Sequence, residues 1–290
     1  MALNNLVQKR STHTTKPEIS TEEKLAIKED KSLAKRVKHA LFQSSAIILF
    51  LAAWEISARL ELFVSQMFLP PFSRIVYAIF QMTLDGELFG HLFISLQRSL
   101  LGFICGMLFA IPLGLAVGWF EKLGRFLSPL LQVFRNMPTL ALLPVFVIFL
   151  GIGELSKVTV IFWGVLWAVL LNTIAGVQSV DPQLIKASRS MGAGSLRLFA
   201  TVVFPASLPF IFTGIRISAT HSVLILIAAE MIGAKKGLGY AIFHYQANMK
   251  PPEMFAYIIV LAIFGVALNF ILEVAERRNF RWRDEGRVVA

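Results

Sequence analysis

The chain has 290 residues, 56% of them hydrophobic and 16% charged, with a mean hydropathy of +0.67 and a formal net charge of +10. Soluble domains carry about 25% charged residues, so this composition excludes a water-soluble body and points to an integral membrane protein. Six apolar stretches of about 20 residues, the length a bilayer demands, leave chain for loops and two tails but none for a second large soluble domain.

Residues 1–40 stand apart from the rest, with nine Lys and Arg from Lys9 to Lys38. About 40 polar residues precede the first apolar stretch, unlike a secretory signal. Ser20 and Glu23 have capping-box spacing, and Leu25, Leu33, Val37 and Leu41 recur at helical intervals. A disordered start followed by an amphipathic helix on the membrane surface is predicted. The expected division is 1–40 as a cytoplasmic tail, 41–275 as the transmembrane domain and 276–290 as a second cytoplasmic tail.

Apolar spans are predicted at about 41–60, 92–119, 126–150, 157–177, 203–232 and 254–272, each long enough to cross ~30 Å of hydrocarbon. The first carries Glu55, which is expected to pair with Arg59 one turn on. The second holds Arg98 and the only cysteine, Cys105, so no intrachain disulfide is available. The third contains Arg135 just before Met137-Pro138, and the fifth contains Arg216, His221 and Glu230. An arginine in the apolar region faces protein or water rather than lipid. Arg98, Arg135 and Arg216 are therefore candidates for handling an anion, with structural pairing or, for Arg98, snorkelling as the competing reading. His221 could offer a neutral hydrogen bond. Glu230 reads either as a pathway or gate residue or as a partner for a backbone break at Gly233. Pro112, Pro138, Pro144, Pro205 and Pro209 are expected to break or kink the spans they occupy.

An even number of spans returns both termini to one side. Nineteen Lys and Arg fall on that side, against six on the other: Arg59, Arg74, Lys157, Lys235, Lys236 and Lys250. The positive-inside rule therefore places both termini in the cytoplasm, although Lys235, Lys236 and Lys250 go against it.

Enzyme chemistry finds little support. No G-x-x-x-x-G-K-[ST] loop occurs, and G-A-K-K-G-L-G at Gly233 to Gly239 has neither its spacing nor its Ser or Thr. No H-E-x-x-H, cysteine pair or G-x-S-x-G elbow is present. Glu55 and Glu230 lie toward the outer ends of their spans, which gives poor support to the competing class, an ion-coupled secondary transporter, because that class needs charged or unwound sites near mid-membrane.

The inner loop from Val180 to Pro209 carries the most specific pattern. Asp181 is a good N-cap and Pro182 suits the first helical position, so a short helix should run to about Met191 and stop at Gly192. Ser195 is expected to cap the next helix, and a break at Phe204-Pro205 to begin the fifth span. Ala187, Ser188 and Ser190 are small enough for close approach by another helix or groove.

Ala187-Ser188, then Gly192, Val202 and Phe204-Pro205, resemble the E-A-A…G…I-x-L-P loop of ABC importer permeases. Lys186 stands where that pattern has Glu, Ser188 where it has the second Ala and Phe204 where it has Leu. F-L-P-P-F at Phe68 to Phe72, R-S-L-L-G-F from Arg98, R-N-M-P-T-L-A-L-L-P ending at Pro144, F-L-G-I-G-E-L-S-K ending at Lys157, and A-A-E-M-I-G with G-L-G-Y up to Tyr240 resemble the nitrate, sulfonate, taurine and bicarbonate branch. The resemblance implies an all-α membrane protein of six spans, the type I importer permease fold, with a cytoplasmic coupling helix. It assigns ATPase coupling to Lys186, Ala187, Ser188, Met191, Gly192, Ala193 and Pro205. The translocation pathway is expected to involve Arg98, Arg135, Pro138, Arg216, His221 and Glu230. Implied partners are a second permease copy, two ATPase subunits that bind ATP and Mg, an extracytoplasmic solute-binding protein and membrane lipid, with no nucleic acid and no cofactor in this chain. The implied location is the bacterial inner membrane. Small oxyanions or sulfonates lead as substrates, with vitamin precursors as the alternative.

Overall fold

The computed structural model describes residues 45–279 apart from 63, and what it describes is all helical. The predicted amphipathic helix within 1–40 and the tail beyond 279 lie outside the described residues. Helix α1 is described over 45–59, followed by α2 (Phe72–Leu84), α3 (Glu87–Trp119) and α4 (Glu121–Arg135). After a 3-10 turn at Thr139–Leu142 come α5 (Leu143–Leu150), α6 (Glu154–Gln178), α7 (Pro182–Ser190) and α8 (Ser195–Leu198). A π turn at Phe199–Val203 leads into α9 (Phe204–Met231), and α10 (Leu238–Ala247) and α11 (Pro251–Asn279) complete the bundle.

Helix α6 occupies the centre, and its neighbours reach it through small residues. Gly102, Gly106, Gly114 and Gly118 of α3 receive Ile161, Val165, Thr173 and Val177 of α6 so closely that a Cβ at any of the four would lie 2.7 Å from its partner. On the other side, Gly214 of α9 meets Asn172 and Gly176 of α6 meets Phe210 at similarly short range. In lipid, where burial from water drives nothing, such backbone approach supplies the dispersion contacts that hold helices together. The core that results joins Ala110, Leu143, Ile161, Val165, Leu170 and Leu226. A second core at one end packs α2, α10 and α11 around Ile75, Leu238, Ile242 and Tyr257. There the Trp54 indole donates to the Pro70 carbonyl (3.1 Å), tying α1 to the chain that enters α2.

Among the described residues, α3, α6, the continuous α8–α9 rod and α11 are each long and apolar enough to cross a membrane. The α4 and α5 segments make a fifth only as a bent pair. The first of the six expected spans is described from residue 45 onward. Three expectations are corrected. The third span is not a straight helix over 126–150, because α4 and the Thr139–Leu150 segment meet at 86°. Pro138 has no N–H to donate and drives Met137 out of helical geometry, so the helix ends at Arg135. The fifth span does not begin at a break by Phe204-Pro205. The widened π turn before it makes room for the Pro205 ring, and the helix runs on from Ser195. Ser195 does not cap that helix, since Gly194 holds the cap position with no side-chain bond and Ser195 is the first helical residue.

Candidate functional site

Two ends of the bundle concentrate polar chemistry. At one end α7 forms as its residues dictate. The Asp181 carboxylate accepts from the Gln183 N–H (2.8 Å), Pro182 fills the first turn, and Gly192 ends the helix at φ +81°. The Gly192 N–H donates to the Arg189 carbonyl (2.9 Å) and the Ala193 N–H to that of Ser188 (3.1 Å), closing the turn. Ile185 packs onto a small core of Val177, Val180, Val203, Trp119 and Phe199, which joins α7 to the ends of α3, α6 and the α8–α9 rod. Lys186, Ala187, Arg189 and Gly192 point away from that core and are exposed, Ser188 and Ala193 are half-buried, and Pro205 lies in the first turn of α9. Leu184, Met191 and Leu196 are also exposed, Met191 at 81% and Leu196 at 82%. The sequence reading singled out Met191 but missed Leu184 and Leu196. Their signal is a large apolar residue in an otherwise polar helix or turn.

At the opposite end a buried charge cluster joins residues far apart in sequence. Glu230, fully buried near the end of α9, accepts from Arg98 Nη1 (2.7 Å) and the Gly239 N–H (2.9 Å), with Ser95 Oγ at 2.7 Å. Arg98, only 4% exposed, donates to the Lys236 carbonyl (2.7 Å) and grips Glu154 with Nη2 (2.6 Å) and Nε. Snorkelling of Arg98 is overturned, because two carboxylates and a carbonyl hold the guanidinium inside the protein. Ser95 Oγ accepts from the Leu238 N–H (2.8 Å), and His91 Nδ1 accepts from the Gly237 N–H (3.0 Å). One face of α3 and the Glu230 carboxylate thus bind successive amides of the turn between α9 and α10. Gly237 has φ +125°, and a Cβ there would lie 2.3 Å from Glu230 Oε1, so only glycine lets the carboxylate approach.

The remaining pathway candidates lie elsewhere. Arg135 and Pro138 are exposed on either side of the α4–α5 bend, while Arg216 and His221 sit toward the middle of α9, half-buried and exposed respectively. Of the six, the structure brings Arg98 and Glu230 together. Glu55 takes part as a local brace, bonded to Arg59 (2.6 Å) and to the Ser73 N–H at the start of α2 (3.1 Å). Beside the bend, Phe134, Phe146, Trp163 and Trp167 form an aromatic cluster in which both indole N–H groups are buried without a hydrogen-bond partner among the described residues. The i, i+4 tryptophan pair on an apolar helix was its sequence signal.

This bundle has the fold of ABC importer permeases: a methionine ABC transporter solved in an inward-facing conformation superposes with a TM-score of 0.58 at 20% identity, over 68% of this chain and 97% of that one. An amino acid ABC transporter gives 0.53 at 18%, over 68% and 96%. The chain belongs to the family of binding-protein-dependent transport system inner membrane components, whose model matches residues 102–281. Among its relatives, the taurine transport system permease protein of Escherichia coli is 34% identical over 82% of this chain and 88% of its own length. A putative aliphatic sulfonates transport permease protein of Bacillus subtilis is 34% identical over 81% and 84%. A formylaminopyrimidine transport permease protein of Halalkalibacterium halodurans is 30% identical over 86% and 98%.

Proposed function

We propose that the chain is the permease subunit of an ATP-driven importer for a small oxyanion or sulfonate. It pairs with a second copy to form the pathway, docks two cytoplasmic ATPase subunits through α7 and its flanking turns, and receives solute from an extracytoplasmic binding protein. ATP and Mg belong to the ATPase subunits. The chain resides in the bacterial inner membrane with both termini in the cytoplasm.

The observation that carries this reading is α7: a capped helix that anchors one apolar residue, Ile185, and presents Leu184, Lys186, Ala187 and Met191 outward. Such a helix serves a partner rather than the fold. A displacement of α7 passes through Ile185 to the ends of α3, α6 and the α8–α9 rod, and the α4–α5 bend and the π turn are where the backbone can yield. Arg135, Pro138, Arg216 and His221 are assigned to the route itself. Arg98 and Glu230 act on it by holding the α9–α10 turn. The sulfonate and taurine relatives support an anionic solute; the formylaminopyrimidine relative supports the second reading, a neutral vitamin precursor carried by the same kind of importer.

Purification of the tagged full chain from its host in mild detergent, with intact masses of everything that remains bound, tests the assembly. Two copies with two ATPase chains bearing the G-x-x-x-x-G-K-[ST] loop are expected. A lone chain that transports without ATP contradicts the proposal and favours an ion-coupled carrier.

A further inference from the structure

The bundle end opposite α7 carries a charge pattern that topology does not require. Lys and Arg concentrate in the loops of the cytoplasmic side, yet Lys157, Lys235 and Lys236, three of the six cations on the other side, line one cavity of about 520 Å³. Arg98 and Glu154 also line it. With Glu230 behind them these two form a mutually bonded group with one excess negative charge, so the three lysines leave the cavity positive by two.

Lys157 gives the observation a chemical direction. The residue is 3% exposed, and its ammonium makes one hydrogen bond among the described residues, to the Gly153 carbonyl (2.8 Å). An ammonium carries three donors, so two remain free to meet acceptors inside the cavity that the residue lines. No carboxylate oxygen lies within 4.0 Å of it among the described residues, since Glu154 and Glu230 are both turned to Arg98. Lys235 and Lys236 are exposed beside it, where long side chains can close over a bound anion.

We propose that this cavity is an oxyanion-binding site: it takes a sulfonate, sulfate or phosphate group, with the Lys157 ammonium as the fixed donor and Lys235 and Lys236 as mobile ones. As a station on the solute's route it rests on the anion-importer reading; as a site it stands on the geometry alone. The oxyanion has two sources, a solute arriving from outside or the phosphate of a lipid headgroup.

The test uses the purified full chain in detergent. One arm measures equilibrium binding of radiolabelled methanesulfonate after delipidation, and the other measures phospholipid retained before it by intact mass. Saturable methanesulfonate binding that weakens about tenfold in Lys157→Gln and severalfold in Lys236→Gln, with Lys157→Arg restoring part of it and Lys122→Gln unchanged, establishes the site for a solute anion. Phospholipid retained by the wild type and lost in the same two variants, without methanesulfonate binding, establishes it for a lipid phosphate. Lys236 is exposed, so its replacement carries little risk to folding and keeps the test valid if Lys157→Gln does not accumulate. Neither ligand bound, or both bound equally by wild type and Lys236→Gln, overturns the proposal. The assay needs no ATPase and no uptake, so its failure is distinct from failure of the importer reading, which shows as a missing ATPase partner.

Discussion

Arg98→Met is expected to destabilise the bundle by about 3–5 kcal/mol, because it leaves the fully buried Glu230 carboxylate without its countercharge. The loss falls on Glu230 rather than Glu154, whose side chain is 67% exposed and can be solvated. Removing both charges is a different experiment. In Arg98→Met/Glu230→Gln the amide oxygen can still accept the Gly239 N–H, and no unpaired carboxylate remains inside. The double variant should therefore be more stable than Arg98→Met alone, by about 1 kcal/mol or more, since replacing a buried pair is tolerated far better than breaking one. Thermal melting of the wild type, Arg98→Met, Glu230→Gln and the double variant in one detergent checks this. Arg98→Met melting with the wild type, or the double variant melting below both singles, would show that the pair does not hold the α9–α10 turn.

Gly192→Val is expected to uncouple ATP hydrolysis from uptake, lowering transport at least tenfold while leaving the ATPase active. The residue sits at φ +81°, and no atom would lie within 4 Å of an added Cβ, so the substitution acts through backbone strain and not through a clash. Left-handed geometry costs an ordinary L-residue about 1–2 kcal/mol, and a β-branched side chain is less tolerant still. The turn then opens, and the exposed Met191 and Leu196 on either side of it lose their fixed relation to α7. Two controls separate this from general damage. Gly192→Asn should transport nearly normally, because Asn enters the left-handed region readily. Gly194→Ala, at φ −67° with equally open space, should be silent. Unchanged uptake by Gly192→Val would remove the turn from the coupling route.

Much of the chain was readable because its signals are local. Asp181-Pro182 and Gly192 state where α7 begins and ends, and the structure places that helix within a residue of the expected bounds. Glu55 and Arg59, one turn apart, pair as their spacing predicts. The long apolar runs announce α3, α6, α9 and α11 by length alone. The errors came where the outcome depends on three-dimensional neighbours. Pro138 could have been carried inside a continuous helix, as Pro112 is within α3, but instead it ends α4 and turns the chain by 86°. Pro205 could have broken the fifth span, and a π turn absorbed it. Arg98 and Glu230 were both noticed as charges in apolar surroundings, yet 132 positions separate them and nothing in either segment names the other. Glu154 drew no separate reading and Lys157 counted as one outer cation among six, because the Glu154–Arg98 pairing and the burial of Lys157 exist only once α3, α6 and α9 are packed.

The central claim, that this chain moves a small anion only when driven by an ATPase, is tested most directly by uptake into proteoliposomes. The vesicles would contain the chain with its copurifying ATPase, ATP inside the ATPase-facing compartment, and the binding protein with radiolabelled taurine on the other side. Accumulation against a gradient that requires ATP, the ATPase and the binding protein together is the predicted result; taurine or another small anion entering at the same rate without ATP would contradict it.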